Sequence, residues 1–219
     1  LGFFTHLAVA DSLDNRDINF TMYQINNFDY CINQLRSAGY NPGKLHVQNT
    51  YGTLNYSNLN YDYVRIGIGM YGIFNNYEHT NNSKSPIKLM PVLSVKSRIS
   101  SIHEIEKNNS VSYGRKFIAD KNYKIATVSI GYADGYPRNL SNKGITVLLN
   151  GHYAEIIGTI CMDQLIINIS NIPNVNVGDI VTLVGRENSI SVESLSYKSN
   201  SISNEFLCRF GTRLPRIPM

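Results

Sequence analysis

Several side chains in this 219-residue sequence stand where chemistry is possible. Arg65 falls near the end of a strand-like run, Tyr63 to Tyr71, and in α/β barrels functional groups gather at strand ends. A guanidinium there either serves a ligand or pairs with a carboxylate. His6 lies in a second apolar run, Gly2 to Val9, which closes on Ala10-Asp11; a lone strand histidine is more often a satisfied core group. Gly67 and Ile68 offer backbone N–H groups where strand turns to loop, a way to cradle phosphate. Glycines at 67 and 69 equally suit close packing. The Gly131–Tyr136 run, with Tyr132, reads as a tight turn between strands or as part of a site. Tyr113 is one of 15 tyrosines, and nothing in its own surroundings separates it from the others.

The elements that must position these groups change character along the chain. Before residue 85 the pattern is strand, helix, strand. Ile18, Met22, Ile25, Phe28, Ile32 and Leu35 recur every three or four positions, the spacing of an amphipathic helix, which Gly39 and Pro42 stop. Lys44 to Asn49 reads as a second strand and Tyr63 to Tyr71 as a third. Strands separated by helices imply right-handed βαβ units and a parallel sheet. Three strands and one good helix are less than half of a (β/α)₈ barrel, which needs roughly 250 residues. The polar segment Tyr77 to Pro86 is expected to be a linker. Beyond it come β-rich runs at Pro91–Ile105, Lys124–Ile130, Ile145–Asn150, Tyr153–Thr159, Gln164–Ile169 and Asp179–Val184. Asn150-Gly151 is a hairpin signal, and short helices are expected near Val192–Tyr197 and Ser203–Phe210. The sequence thus predicts α/β plus β.

Composition excludes some classes of function. A net charge of +4 without a dense Lys/Arg cluster suits a small anionic ligand and gives no nucleic-acid surface. No stretch approaches the roughly 20 apolar residues of a membrane helix. The three cysteines, Cys31, Cys161 and Cys208, show no metal-ligand spacing and are expected to be reduced, buried thiols of a cytosolic protein. No signal peptide is visible, and opening on Leu1 inside a strand-like run suggests a front that lies elsewhere.

Taken in order, five motifs resemble the alanine racemase family. They are Phe4-Thr5-His6-Leu7-Ala8-Val9-Ala10-Asp11, Val64-Arg65-Ile66-Gly67-Ile68-Gly69-Met70-Tyr71-Gly72, Val111-Ser112-Tyr113-Gly114, Ile130-Gly131-Tyr132-Ala133-Asp134-Gly135-Tyr136-Pro137-Arg138 and Gly158-Thr159-Ile160-Cys161-Met162-Asp163-Gln164. The closing Cys208 to Ile217 is similar too. The likeness spans essentially the whole chain but only the latter part of the family's length.

It implies residues 1–85 as the C-terminal part of an incomplete (β/α)₈ barrel that binds pyridoxal 5'-phosphate, and residues 86–219 as a mainly β, barrel-like C-terminal domain. The implied activity is interconversion of L- and D-alanine by a lysine/tyrosine two-base mechanism, supplying D-amino acid for peptidoglycan. By the resemblance Arg65 faces the cofactor's pyridine nitrogen, and since guanidinium holds its proton far more tightly than pyridine, the ring stays neutral. His6 bridges Arg65 to Tyr113, the base or acid on one face of Cα. Tyrosine's pKa of about 10 must fall for that role, as a cationic network allows. Thr50, Gly67, Ile68 and the position of Thr212 belong to the phosphate. Met162 offers its N–H to the substrate carboxylate, Asp163 shapes that loop, and Tyr132 stands at the mouth. The family is a homodimer with shared sites; the expected location is cytoplasmic, or tethered to a membrane through a domain outside this chain.

Two departures qualify this. No lysine here has the Lys-Ala-Asn-like context of the family's cofactor lysine, so the chain alone is expected to be inactive. Thr212 stands where most alanine racemases carry a tyrosine; its smaller, polar side chain leaves room for serine and makes a membrane-tethered serine racemase the alternative substrate reading. A decarboxylase on the same plan would keep a cysteine motif in the β domain, and Cys161-Met162-Asp163-Gln164 fits the racemase pattern better. A non-enzymatic OB-like module reading single strands with its tyrosines leaves the first 85 residues unexplained.

Overall fold

The computed structural model describes residues 1–75 and 83–218, which fall into two compact units, Leu1–Met90 and Pro91–Met219. The expected Tyr77–Pro86 linker lies, as far as residue 82, outside the described residues.

In the first unit, strand β1 (Gly2–Phe4) pairs in parallel with β2 (Lys44–His46). Between them runs helix α1 (Asn15–Ser37). Its buried face is narrower than the sequence predicts: Thr21, Ile25 and Ile32 are buried, whereas Met22 is exposed. Both strands are shorter than the apolar runs they come from, because side chains take over the backbone bonds. Past Phe4, Gln24 of α1 donates to the His6 carbonyl at 2.7 Å and accepts from Ala8 N–H at 3.2 Å. Past His46, Asn49 caps a short helix not foreseen in the sequence, α2 (Thr50–Asn55), accepting from Gly52 N–H at 2.8 Å.

The third expected strand, Tyr63–Tyr71, does not form; Ile68–Tyr71 is instead a 3₁₀ turn. The cause is local. Leu45 turns its backbone away from β1, towards the place of a third strand, yet its N–H donates to the Asp62 side chain at 2.8 Å. Among the described residues only the Leu45 and Gln48 carbonyls accept from backbone there, from Asp62 and Arg65 at 2.9 Å each. Lys44 also donates to Asp62 at 2.8 Å, and the Leu45 N–H and this ammonium hold the Asp62 carboxyl below its usual range. Leu7, Ala10, Ile25, Val47, Tyr51 and Leu54 form the core under this arrangement.

The second unit is built on a closed antiparallel barrel. Its strands are β3 (Val95–Ile105), β6 (Tyr123–Val128), β7 (Thr146–Leu149), β8 (His152–Ile157), β9 (Leu165–Asn168) and β10 (Ile180–Val184), in the order β10-β3-β6-β9-β8-β7. Burial alternates along β7 and β9, so Val147, Leu149, Leu165 and Ile167 fill the interior. Asn150 and Gly151, at φ 49° and 78°, turn β7 into β8 as the sequence predicts. A small hairpin, β4 (Ser110–Val111) with β5 (Phe117–Ile118), stands beside the barrel. Helices α3 (Val192–Lys198) and α4 (Ser203–Cys208) follow it. The thiols depart from expectation: Cys31 and Cys208 are exposed, one on the outer side of α1 and the other at the last turn of α4, and only Cys161 is partly covered.

The barrel interior gives a direct test. Leu165→Ala should lower stability by about 2–5 kcal/mol and Ile167→Val by about 0.5–1.5 kcal/mol, read from denaturant midpoints. Small, equal shifts would mean that this interior is not close-packed.

Candidate active site

The residues singled out in the sequence collect into two clusters, one in each unit. In the first, Arg65 is half-buried and its fork is almost fully used. Nη1 donates to His46 Nδ1 at 2.8 Å and to the His46 carbonyl at 3.0 Å. Nη2 donates to the carbonyls of Thr5 at 2.9 Å and Val47 at 3.3 Å. Guanidinium can only donate, so His46 accepts at Nδ1 and carries its proton on Nε2. Phe4 lies under the cation at 4.9 Å and stacks on His46 at 5.2 Å. Among the described residues every partner is neutral and none is a carboxylate. Burial pulls the Arg65 pKa down from its usual value, but a guanidinium stays charged at any physiological pH. One donor, Nε–H, has no described partner.

Beside it, Thr50 Oγ1 accepts from the N–H groups of Gly67 at 3.1 Å and Gly69 at 3.4 Å. The space next to Gly67 is open, with nothing within 4 Å of the place a Cβ would take. Ile68 is buried, and its N–H begins the 3₁₀ turn. His6 Nε2 accepts from the Asn49 amide at 3.4 Å. Among the described residues the histidine bonded to Arg65 is His46, which no motif or spacing in the sequence singles out. Arg65 and His46 are 19 positions apart, and only the packing of the 61–65 segment against β2 brings them together.

In the second unit Tyr113 rides the turn of the β4–β5 hairpin, with its side chain exposed. The hairpin is fastened to the loop after β8. Ser112 Oγ donates to the Thr159 carbonyl at 2.5 Å, and Thr159 Oγ1 donates to the Tyr113 carbonyl at 2.9 Å. The next turn of that loop meets the Gly131–Gly135 turn through two backbone bonds, Tyr132 N–H to Cys161 O and Ala133 N–H to Met162 O, both 3.0 Å. Gly131 permits the approach, since an added Cβ would lie 2.3 Å from the carbonyl oxygens of both Cys161 and Met162. Asp163 pairs with Arg213 at 2.6 Å, which places Thr212, exposed and next in sequence, at the edge of the same group. Tyr113, Tyr132, Met162, Asp163 and Thr212 thus share one loop cluster. Arg213 and its buried partner Asp134 complete it, and sequence reasoning gave neither a role.

The chain resembles known proteins along both units. The family model described as "Alanine racemase, N-terminal domain" matches residues 1–75, and "Alanine racemase, C-terminal domain" matches 92–218. A Nostoc sp. protein named alanine racemase is 41% identical over 98% of this chain and 54% of its own length. The chain therefore spans about half the length of the curated relatives it matches. Among solved structures, alanine racemase from Bacillus anthracis with bound L-Ala-P is 33% identical at a TM-score of 0.88, over 99% of this chain and 54% of that one. Alanine racemase from Bartonella henselae with covalently bound pyridoxal phosphate is 32% identical at 0.81, over 98% of this chain and 55% of that one.

The close approach at Gly131 can be broken at will. Gly131→Ala should separate the two turns and cost about 1–3 kcal/mol of stability, as overpacking does. Gly211→Ala, with open space around its Cβ position, should stay within about 0.5 kcal/mol. Thermal unfolding of both variants reads the difference, and equal effects would remove the steric argument.

Proposed function

Because this chain belongs to the alanine racemase family, we propose that the protein carrying it interconverts L- and D-alanine with pyridoxal 5'-phosphate and supplies D-alanine for peptidoglycan. The fold is the family's, a TIM-barrel N-terminal domain with a β-rich C-terminal one, and in the finer reading residues 1–85 are the last part of that barrel. The observation that carries the proposal is Arg65. A cation surrounded by neutral acceptors, with one donor left over, suits an uncharged ring nitrogen.

The cluster in the first unit fits the cofactor. Arg65 Nε–H would donate to the pyridine nitrogen, and because guanidinium is far more basic than pyridine it would keep that proton and leave the ring uncharged. The open space at Gly67, the Ile68 N–H and Thr50 suit the phosphate, to which Thr212 adds a hydroxyl. When bound, pyridoxal phosphate supplies the electron sink that makes the amino acid's Cα–H acidic.

The remaining work falls to side chains of this chain. Tyr113 takes the Cα proton from one face and, for the opposite enantiomer, returns one there. The other face belongs to the family's cofactor lysine, which no residue of this chain matches. His6 links Arg65 to Tyr113 by the family's pattern, while His46 keeps the guanidinium plane from turning. The Met162 N–H holds the substrate carboxylate on a loop that Asp163 shapes, and Tyr132 narrows the mouth. Arg65 and Tyr113 belong to different units, and in the family's homodimer each site takes its barrel part from one subunit and its tyrosine from the other. Among the described residues no helix is long and apolar enough to cross a membrane. Exposed free thiols at Cys31 and Cys208 suit a reducing, cytoplasmic setting.

In the intact protein, Tyr113→Phe should leave cofactor absorbance in place and slow racemisation by at least about 10²-fold, the scale of a lost general base. The two directions should suffer differently, because each needs the phenol in a different protonation state. Assays on alanine and serine side by side decide the substrate; a mild, symmetric loss would count against Tyr113 as the base. Shared sites predict complementation. Arg65→Glu and Tyr113→Phe proteins, each inactive, should recover activity when mixed under subunit exchange, because one heterodimer site keeps both residues. No recovery despite verified exchange means each site comes from one chain.

A further inference from the structure

Three segments carrying proposed site residues in the second unit meet at a single side chain, Arg213. Its Nη2 lies 2.6 Å from Asp163 Oδ1 and its Nε 3.2 Å from Asp134 Oδ1. These donors lie along one edge of the guanidinium, the edge that commonly grips both oxygens of a single carboxylate. Here the edge is divided between carboxylates on two different turns. Asp134 is the anchor: its side chain is only 11% exposed, and its second oxygen accepts from Gly131 N–H at 2.9 Å. Asp163 is the outer partner, with its side chain 60% exposed. A charge as covered as that of Asp134 needs a counter-ion, and Arg213 is the one the structure provides. The two carboxylates hold the Arg213 pKa above its usual value, Asp163 through its hydrogen bond and Asp134 through its charge. The chain just before Thr212 is tied down as well, since Arg216 donates to the carbonyls of Phe210 at 2.9 Å and Gly211 at 3.3 Å.

We infer that Arg213 is a positioning residue for the racemase site, an inference that rests on the function proposed above: it locks the turn bearing Tyr132, the turn bearing Met162, and Thr212 into one body. The two backbone bonds between the turns would otherwise bear the alignment alone. Tyr113 is fastened separately, through Ser112 and Thr159, so Arg213 governs where the substrate carboxylate is held rather than the proton transfer. Loss of binding that is equal in ground and transition states raises KM and spares kcat. Lysine keeps the charge but not the planar fork, so it should restore only part.

The experiment compares the intact wild-type protein with Arg213→Gln, Arg213→Lys and Asp163→Asn. Amide hydrogen exchange at Tyr132 and Ala133 should quicken about three- to tenfold in Arg213→Gln, and less in Arg213→Lys, the scale of a charge-assisted bond at a partly exposed site. KM for alanine should rise about three- to tenfold with kcat within about twofold and cofactor absorbance unchanged. Asp163→Asn should act in the same direction, and combining it with Arg213→Gln should add little. If Arg213→Gln fails to fold, Arg213→Lys and Asp163→Asn carry the same two readouts. Unchanged exchange overturns the lock, and quickened exchange with unchanged KM overturns its role in positioning. A wild-type protein that racemises neither alanine nor serine would overturn the racemase reading instead, while the exchange rates still judge the lock.

Discussion

A guanidinium cannot surrender its proton, so wherever a fold covers one it must surround it with acceptors. That constraint organises the first unit. Arg65 draws in the carbonyls of Thr5, His46 and Val47, which stand just at or beyond the ends of the two parallel strands. Backbone that would have continued a ladder is thereby turned onto a side chain, and the strands stop. The same bonds fix the plane of the guanidinium and choose the His46 tautomer. What is left is a single donor held in one direction, which is what orientation of a ligand requires.

The second unit meets a different requirement. Its barrel closes on itself, so its strands have no free edges and its interior is fully occupied by alternating side chains. The proposed site residues lie instead on the connections between strands, and loops need fastening before they can hold anything in place. The structure fastens them three ways: hydroxyl-to-carbonyl bonds at Ser112 and Thr159, a backbone approach that only glycine allows at Gly131, and a divided guanidinium at Arg213. Each works over a short distance and leaves the side chains of Tyr113, Tyr132 and Met162 free for a ligand.

The two clusters divide the labour of the proposed reaction. Groups suited to grip an anionic, aromatic cofactor collect on the parallel-strand unit, and groups suited to the amino acid and its proton collect on the loops of the barrel unit. Such a division would let one cofactor platform serve different substrates, because a residue proposed for the mouth, such as Tyr132, could change without disturbing the grip on the ring.

Much of this was legible in the sequence because it depends on local rules. The β-rich runs marked the barrel strands to within a few residues, Asn150-Gly151 marked its hairpin, and the spacing of Ile25 and Ile32 marked α1. Motifs in order pointed to the family and to Arg65, Tyr113 and Met162, which neither composition nor periodicity would have found. The errors share a cause. Tyr63–Tyr71 has the composition of a strand, but the Asp62 carboxylate takes the Leu45 N–H that a ladder would have used. Met22 lies on the apolar stripe of α1, yet what packs against that stripe is decided elsewhere in the chain. Tertiary structure alone decided that His46 holds Arg65, and that Arg213 joins Asp134 to Asp163. Those partners stand 19, 79 and 50 positions apart. Hydrogen bonds and ion pairs act over about 3 Å through space, and a sequence records only distance along the chain.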